Sequence, residues 1–305
     1  MLRSGRAVVA VCFAVLSACA HQPPEESSQA AELCGAPDGW EHVAEAAEHK
    51  VLIFGETHGT AEIPDAFARY VCAASARDGR TLALLEIDVS HEDALASASD
   101  ASDPRADLIA TMSKHWANQD GRGSEAMLDM VVKLVHLRQA GRDLEIRPMD
   151  QITGWPETEN PEELSAWLAN QPPTAIQRMR DAGMAEKIRM ESAGFDRTIV
   201  LVGNVHARKE ELQALPGIDL MAMLIPDAIS LLVLHDGGTA WSWTENGPGM
   251  DDRSPSNREH RAPNSMALTT KKLPAYPGDQ PNFDGYVSVG PITASESAIS
   301  SGDAP

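Results

Sequence analysis

Basic residues are in short supply. The 305-residue sequence holds 25 Lys and Arg against 45 Asp and Glu, a formal net charge of −20. A body this acidic repels polyanions and anionic membrane surfaces through its long-range field, so nucleic acid is not an expected partner. The field suits solubility, and would also draw cationic ligands and metal ions. Long apolar runs are equally scarce. After residue 16 no stretch approaches the ~20 residues that a bilayer-spanning helix needs. Three familiar signatures are missing as well: the His-Glu-x-x-His pair of zinc peptidases, the Gly-x-Ser-x-Gly nucleophile elbow, and any internal repeat. What remains is ordinary for a globular chain, at 43% hydrophobic and 23% charged. The length allows one large domain or two small ones.

The N-terminus carries the clearest local pattern. Arg3 and Arg6 precede a short apolar run, AVVAVCFAVL over residues 7–16, followed by Ser17, Ala18 and Cys19. The run is too short to anchor a protein across a bilayer and reads as the core of a secretory signal. Leu16-Ser17-Ala18-Cys19 resembles a bacterial lipobox, in which Cys19 is lipidated and cleavage falls before it. Residues 1–18 are therefore expected to leave as a signal peptide. Residues 19–33, with the polar and Pro-containing HQPPEESSQAA, are expected to form a lipidated tether. Ala20 rather than Asp in the next position points to the outer membrane, facing the periplasm or the surface, with contact to the membrane through the lipid alone. Removal of Arg3 and Arg6 leaves the mature chain near −22. Of four cysteines, Cys12 leaves with the signal and Cys19 takes the lipid. Cys34 and Cys72 remain, as a disulfide or as two buried thiols.

The body alternates helix and strand. Helical spacing covers residues 38–49, 62–76, 90–98, 105–114, 124–138 and 173–194. Short apolar runs rich in β-branched residues cover 50–54, 81–87, 144–149 and 198–202, with further strand candidates at 220–225 and 229–235 and an edge strand at 240–244. Strands that are apolar along most of their length, each followed by a helix, predict an α/β domain over 34–245. Its sheet is expected to be mostly parallel, with helices on both faces. Residues 246–305 are rich in Pro, Gly, Ser, Asn and Asp. They are expected to be irregular chain, with a disordered tail from about residue 292.

In parallel sheets ligands sit beyond the carboxyl ends of the strands. The residues at those ends form a coherent set: Gly55-Glu56-Thr57-His58, then Glu86, then Asp150-Gln151, then Gly203-Asn204-Val205-His206. Imidazoles and carboxylates held on rigid strand ends can bind a divalent metal and activate water, or a carboxylate-oriented His can act directly as general base. Glu86 stands in an otherwise apolar strand, where an unpaired charge is costly. Glu62 either joins the site or simply opens a helix. Arg180 either binds an anionic group or pairs with Glu56 or Glu86. His115 beside Trp116 and His235 at a late strand end read as structural, and Met127 and Met130 as core.

The same residues carry a family resemblance. Gly55-Glu56-Thr57-His58-Gly59-Thr60-Ala61-Glu62 is similar to the GE-x-THGT-x-E signature of erythromycin-esterase-like proteins, with one residue fewer between Glu and Thr. Glu86 falls on the family's strand-borne Glu, and Trp116, Glu125 and Arg138 on its W…E…WLR segment. Met149-Asp150-Gln151 resembles its G-F-D-x-Q, and the stretch from Arg180-Asp181 through Met184-Ala185 to Ile188 its R-D-x-x-MA-x-x-I. Gly203-Asn204-Val205-His206-Ala207 resembles the GN-x-HA of a wider group that includes Tiki-type metalloproteases and ChaN-type haem-binding lipoproteins. These matches run in the family's order over roughly residues 48–225.

The resemblance implies hydrolysis of an ester or amide in a small molecule or peptide, with His58 as general base. Glu56 and Glu86 would orient it, and His206 and Asn204 would stabilise the developing oxyanion. Arg180, Asn204, Asp150 and Glu62 would contact substrate. It also implies two alternatives for the same cleft. One is a divalent metal on Glu56, His58, Glu86 and His206. The other is haem bound without turnover, for which only Tyr70, Tyr276 and Tyr286 offer a phenolate ligand. No oligomeric state follows from the sequence.

Overall fold

The structure is a computed structural model that describes residues 34–300, apart from 157, 159, 173, 213, 257–260 and 270–282. The expected signal peptide, Cys19 and its tether, Tyr276 and the residues after 300 lie outside the described residues.

The first strand, β1 (Val51–Glu56), follows helix α1 (Trp40–Ala46) and leads into α2 (Glu62–Ala74). Next come β2 (Thr81–Asp88), α3 (Glu92–Ala98), α4 (Pro104–Thr111), α5 (Ser113–Trp116) and α6 (Glu125–Gln139). Then follow β3 (Leu144–Asp150), α7 (Pro161–Ala169), α8 (Ala175–Glu191) and β4 (Arg197–Gly203). The chain closes with β5 (Ile229–Leu234), β6 (Gly238–Thr244), β7 (Gly247–Arg253), β8 (Ser265–Leu268) and β9 (Gly285–Ser288). Seven strands form one sheet in the order β3-β2-β4-β1-β5-β9-β8, with β6 and β7 in a separate two-stranded ribbon. All neighbours in the large sheet are parallel except β8, which runs antiparallel to β9 at the edge. The expected mostly parallel α/β architecture is what forms.

Alternation along each strand explains why both faces need helices. Phe54, Leu85, Leu201 and Leu231 point to the face covered by α1, α2 and α6, in a core with Val43, Phe67 and Leu134. Their neighbours Ile53, Leu84, Val200 and Leu232 point to the other face, against Met184, Ala185 and Ile188 of α8. On the first face Phe54 meets Phe67 edge-on, with centroids 5.4 Å apart, and Tyr70 at 5.1 Å. Local signals set the helix starts. The Ser124 side chain caps α6 by accepting from the Met127 amide, and Asn160 and Asp103 do the same for α7 and α4.

Several expectations are corrected. Residues 220–225 are not a strand. Leu220, Met221, Ala222 and Ile225 are buried, but the backbone turns repeatedly, with Met223 N–H on the Leu220 carbonyl and Ile225 N–H on that of Ala222. Helix 105–114 breaks at Met112, and α7 was not anticipated. The strand at 240–244 is part of the ribbon and does not edge the main sheet. Residues beyond 246 supply β7, β8 and β9, two of them only four residues long, too short to show a period.

Nor do residues 292–300 hang free. Ile292 exchanges backbone hydrogen bonds with Gly237 and Thr239, and Thr293 accepts from the Ala61 amide. Ser295 donates to the Gly59 carbonyl, Glu296 accepts from the Glu125 amide, and Ala298 donates to the Gly123 carbonyl. This strap joins three separate loops at one end of the sheet.

Cys34 and Cys72 form a disulfide that ties the first described residue to α2 across 38 positions of sequence. Closing such a loop removes freedom from the unfolded chain. Replacing both cysteines with alanine is expected to cost about 2–4 kcal/mol, read as a lowered unfolding midpoint that reductant then fails to lower further.

Candidate functional site

Sheet order builds the site. Because β4 lies between β2 and β1, the ends of these three strands bring Glu86, Gly203 and Glu56 side by side. Glu86 leaves the apolar run of β2 at its last turn and is buried. One carboxylate oxygen accepts the Gly203 amide at 2.6 Å. The other pairs with Arg180 of α8, and Arg122 stands 3.6 Å from it. Gly203 is required by space. A Cβ there would lie 2.9 Å from Nε2 of His58 and 3.5 Å from Glu86.

Two imidazoles flank this carboxylate. Nδ1 of His58 is 3.0 Å from Glu56, and its Nε2 is 3.7 Å from Glu86. Nδ1 of His206 is 2.7 Å from the buried Asp181, and its Nε2 is 3.8 Å from Glu86 and 3.1 Å from Nη1 of Arg180. A guanidinium has no lone pair to offer. Arg180 therefore donates to Nε2 of His206, whose Nδ1–H donates to Asp181. Asp181 is itself fixed by the Met221 amide at 2.9 Å and by Gln177 at 2.7 Å. Arg180 also makes a forked contact with Asp150, at 2.6 and 2.7 Å. Arg122 reaches Asp150 at 3.1 Å and is gripped by Asp120 at 2.8 Å.

Charge states follow from this packing. Burial disfavours the imidazolium of His58, but Glu56 and Glu86 outweigh it and raise its pKa to about 9. Burial likewise disfavours the Glu86 carboxylate, yet the cations around it, among them His58 and the Arg180 and Arg122 guanidinium groups, lower its pKa to about 2. Arg180 is held charged by Asp150 and Glu86 against its own burial. His115 goes the other way. Burial, with His91 and Arg122 nearby, lowers its pKa to about 4, and the ring packs on Trp116 away from the cleft.

A cavity of about 850 Å³ opens over these groups. Its lining includes Glu56, His58, Glu86, Arg180, Asn204 and His206, so six of the predicted residues converge there. Asp150 stands just behind, on Arg180 and Arg122. Glu62 does not join them. Its carboxylate accepts the amide and hydroxyl of Thr293 at 2.8 and 2.7 Å and pins the strap. Sequence reasoning missed Arg122 and Asp120, which come from a loop of Asn, Asp and Gly with no periodic signal. It also missed the far wall, formed by His235, Ser242 and the run from Asp252 to Ser256.

The expected metal set does not fit. Among the described residues no group of His, Cys, Asp and Glu is arranged to hold an ion. Glu56, His58, Glu86 and His206 do meet, but Nε2 of His206 faces Arg180, and both oxygens of Glu86 carry N–H donors. For haem, Tyr70 is in the core and Tyr286 lies under Arg261, so neither reaches the cavity.

The fold is one that solved structures share. Erythromycin esterase EreC, in the open conformation of a point mutant, aligns with 83% of this chain and 93% of its own at a TM-score of 0.59 and 12% identity. A protein of Bacillus cereus aligns with 90% of this chain and 100% of its own, at 0.58 and 11%. Haem-bound ChaN of Campylobacter jejuni aligns with 63% of this chain and 85% of its own, at 0.40 and 12%, too slight a likeness to argue from. No protein-family model and no curated protein matches the chain. What these comparisons show is the fold alone, an α/β architecture that the erythromycin esterase structure shares.

Glu56 supplies the largest upward push on the His58 pKa. In Glu56→Gln the His58 pKa is expected to fall from about 9 towards the ordinary 6.5. Imidazole resonances followed by NMR across pH would show it, and an unmoved titration would assign the whole shift to Glu86.

Proposed function

We propose that the protein hydrolyses an ester or amide bond, with His58 taking the proton from the attacking water. The observation that supports this reading is the Glu56–His58 pair at the cavity floor, its Nε2 turned towards the open space beside Glu86. In the neutral ring Nδ1–H donates to Glu56 and Nε2 keeps its lone pair. Water on Nε2 attacks the carbonyl carbon, and its proton passes to the ring. The new imidazolium is stabilised by Glu56, as oriented carboxylate–imidazole pairs are. Collapse of the tetrahedral intermediate returns that proton to the leaving oxygen or nitrogen, giving acid plus alcohol or amine. The guanidinium groups of Arg122 and Arg180 lie beside the same floor and are the charged donors nearest a developing oxyanion. Neither a metal nor haem is needed for these steps.

The raised pKa gives this mechanism a pH signature. With a pKa of about 9, only roughly one ring in a hundred is free base at pH 7. kcat/KM on an activated ester is expected to climb about tenfold per pH unit from 7 and level off above 9. His58→Ala should lose about 10²–10⁴-fold of it. Activity that is greatest at pH 7 and falls through 9 would instead make the imidazolium an acid. Activity indifferent to His58→Ala would end the proposal.

We also propose that the chain works as an outer-membrane lipoprotein held through Cys19. The Cys34–Cys72 disulfide supports an oxidising compartment of this kind. Cells fed radiolabelled palmitate should label the wild type and not Cys19→Ala; equal labelling of both would reject the anchor.

A further inference from the structure

We infer that His235 selects the substrate: its Nε2–H donates a hydrogen bond to an uncharged oxygen of the ligand, a carbonyl, ether or hydroxyl outside the bond that is cut. The ester or amide bond rests on the hydrolase reading above; the donor does not.

From sequence His235 reads as structural, and one side of its ring is. Nδ1 accepts the Gly237 amide at 3.2 Å. The backbone that carries the ring is held from two directions. On one, His235 N–H donates to Oγ of Ser256 at 2.7 Å, and its carbonyl accepts the Ser256 amide at 3.0 Å. On the other, Asp236 donates to the Gly290 carbonyl, and the Gly237 carbonyl accepts from Ile292 of the strap. Gly237 has a φ of 91°, and a Cβ there would stand 3.0 Å from the Arg253 carbonyl. The ring is therefore set in place before any ligand arrives.

The other side of the ring has no such partner. His235 is 5% exposed and lines the cavity. Burial, and then the charge of Arg253, lower its pKa against the pull of Asp236 and keep the ring neutral. With Nδ1 accepting, the one ring proton is on Nε2. Among the described residues no group hydrogen-bonds to Nε2, yet this nitrogen is not among the polar atoms sealed from solvent. The little surface that His235 keeps includes this N–H, and the space beside it is the cavity.

Sheet order gives the donor its use. β5 is the neighbour of β1 on the side away from β4, so His235 follows the strand next to the one that carries Glu56 and His58. Adjacent strands lie about 4.8 Å apart, so a ligand of several atoms over His58 extends across the end of β5. Leu232 and Val233 of β5 line the same cavity, with Leu212 and Leu215. Hydrocarbon laid over Nε2 would displace solvent and leave the N–H unpaired, whereas an oxygen there replaces what is lost. A buried donor of this kind discriminates by chemistry, more sharply than a pocket discriminates by size.

The test uses the full-length chain and pairs of neutral 4-nitrophenyl esters that differ by one oxygen in place of a methylene. Methoxyacetate is set against butyrate, 3-methoxypropionate against pentanoate, and 4-methoxybutyrate against hexanoate. In at least one pair the oxygen ester should have a KM about tenfold lower or more. Two substitutions separate the halves of the ring. His235→Asn can still accept the Gly237 amide through Oδ1 but does not reach the cavity, and should bring the paired KM values together. His235→Gln places an N–H where Nε2 stood and should restore part of the preference. No preference in any pair, or one that His235→Asn leaves intact, overturns the inference even where esters are cleaved. Where no ester is cleaved, or neither variant folds, the wild-type Nε2–H resonance decides. In ¹⁵N-labelled protein 1,2-dimethoxyethane, a neutral diether that cannot be hydrolysed, should move it. A moved resonance without cleavage of any ester keeps the donor site and removes the hydrolase reading; an unmoved one removes both.

Discussion

One buried carboxylate organises this end of the molecule. Glu86 stands in a strand whose other residues make core, and removing its charge from water costs several kcal/mol unless partners replace the solvent. The fold provides them from distant parts of the sequence. Gly203 comes from β4, Arg180 from α8, and Arg122 from the loop after α5. Each partner has its own support: Asp150 carries Arg180, Asp120 carries Arg122, and the two imidazoles stand on either side. Because β4 lies between β2 and β1, the Gly203 amide and the His58 ring reach this carboxylate from adjacent strand ends.

The two histidines differ in what they can do because their second nitrogens face different things. Both are oriented through Nδ1 by a carboxylate and both turn Nε2 towards Glu86. For His206 that position is taken by a guanidinium, which makes the ring a link between Arg180 and Asp181. For His58 it adjoins open cavity. Near-equal geometry around one carboxylate thus separates a bracing histidine from one whose second nitrogen adjoins open space.

Much of this was legible in the sequence. Strands β1 to β4 are short apolar runs with a clear start and stop, and their polar end residues could be read as one edge before any contact was known. Legibility failed where side-chain identity does not determine partners. Asp181 follows Arg180 in the same motif, yet in space it orients His206. Glu62 matched a motif, and in space it holds Thr293. Arg122, Asp120, His235 and Arg253 sit in loops or a Gly-rich ribbon, where no periodicity marks which way a side chain turns. Residues 220–225 had the composition of a strand, but their backbone turns repeatedly and buries Leu220, Met221, Ala222 and Ile225 without pairing in the sheet. The strands of four residues, β8 and β9, exist only because neighbours pair with them.

The strap of residues 291–299 bears on how the protein is made. It follows in chain order every residue that lines the cavity, and its backbone ties the His58 loop, the Arg122 loop and the ribbon together. A ribosome, or a secretion channel, delivers strands β1 to β5 and both helical layers well before this stretch emerges, with β9 only just ahead of it. The nascent chain can therefore bury much of its core before the loops around the cavity are tied together, and the cavity takes its final shape only when the strap arrives.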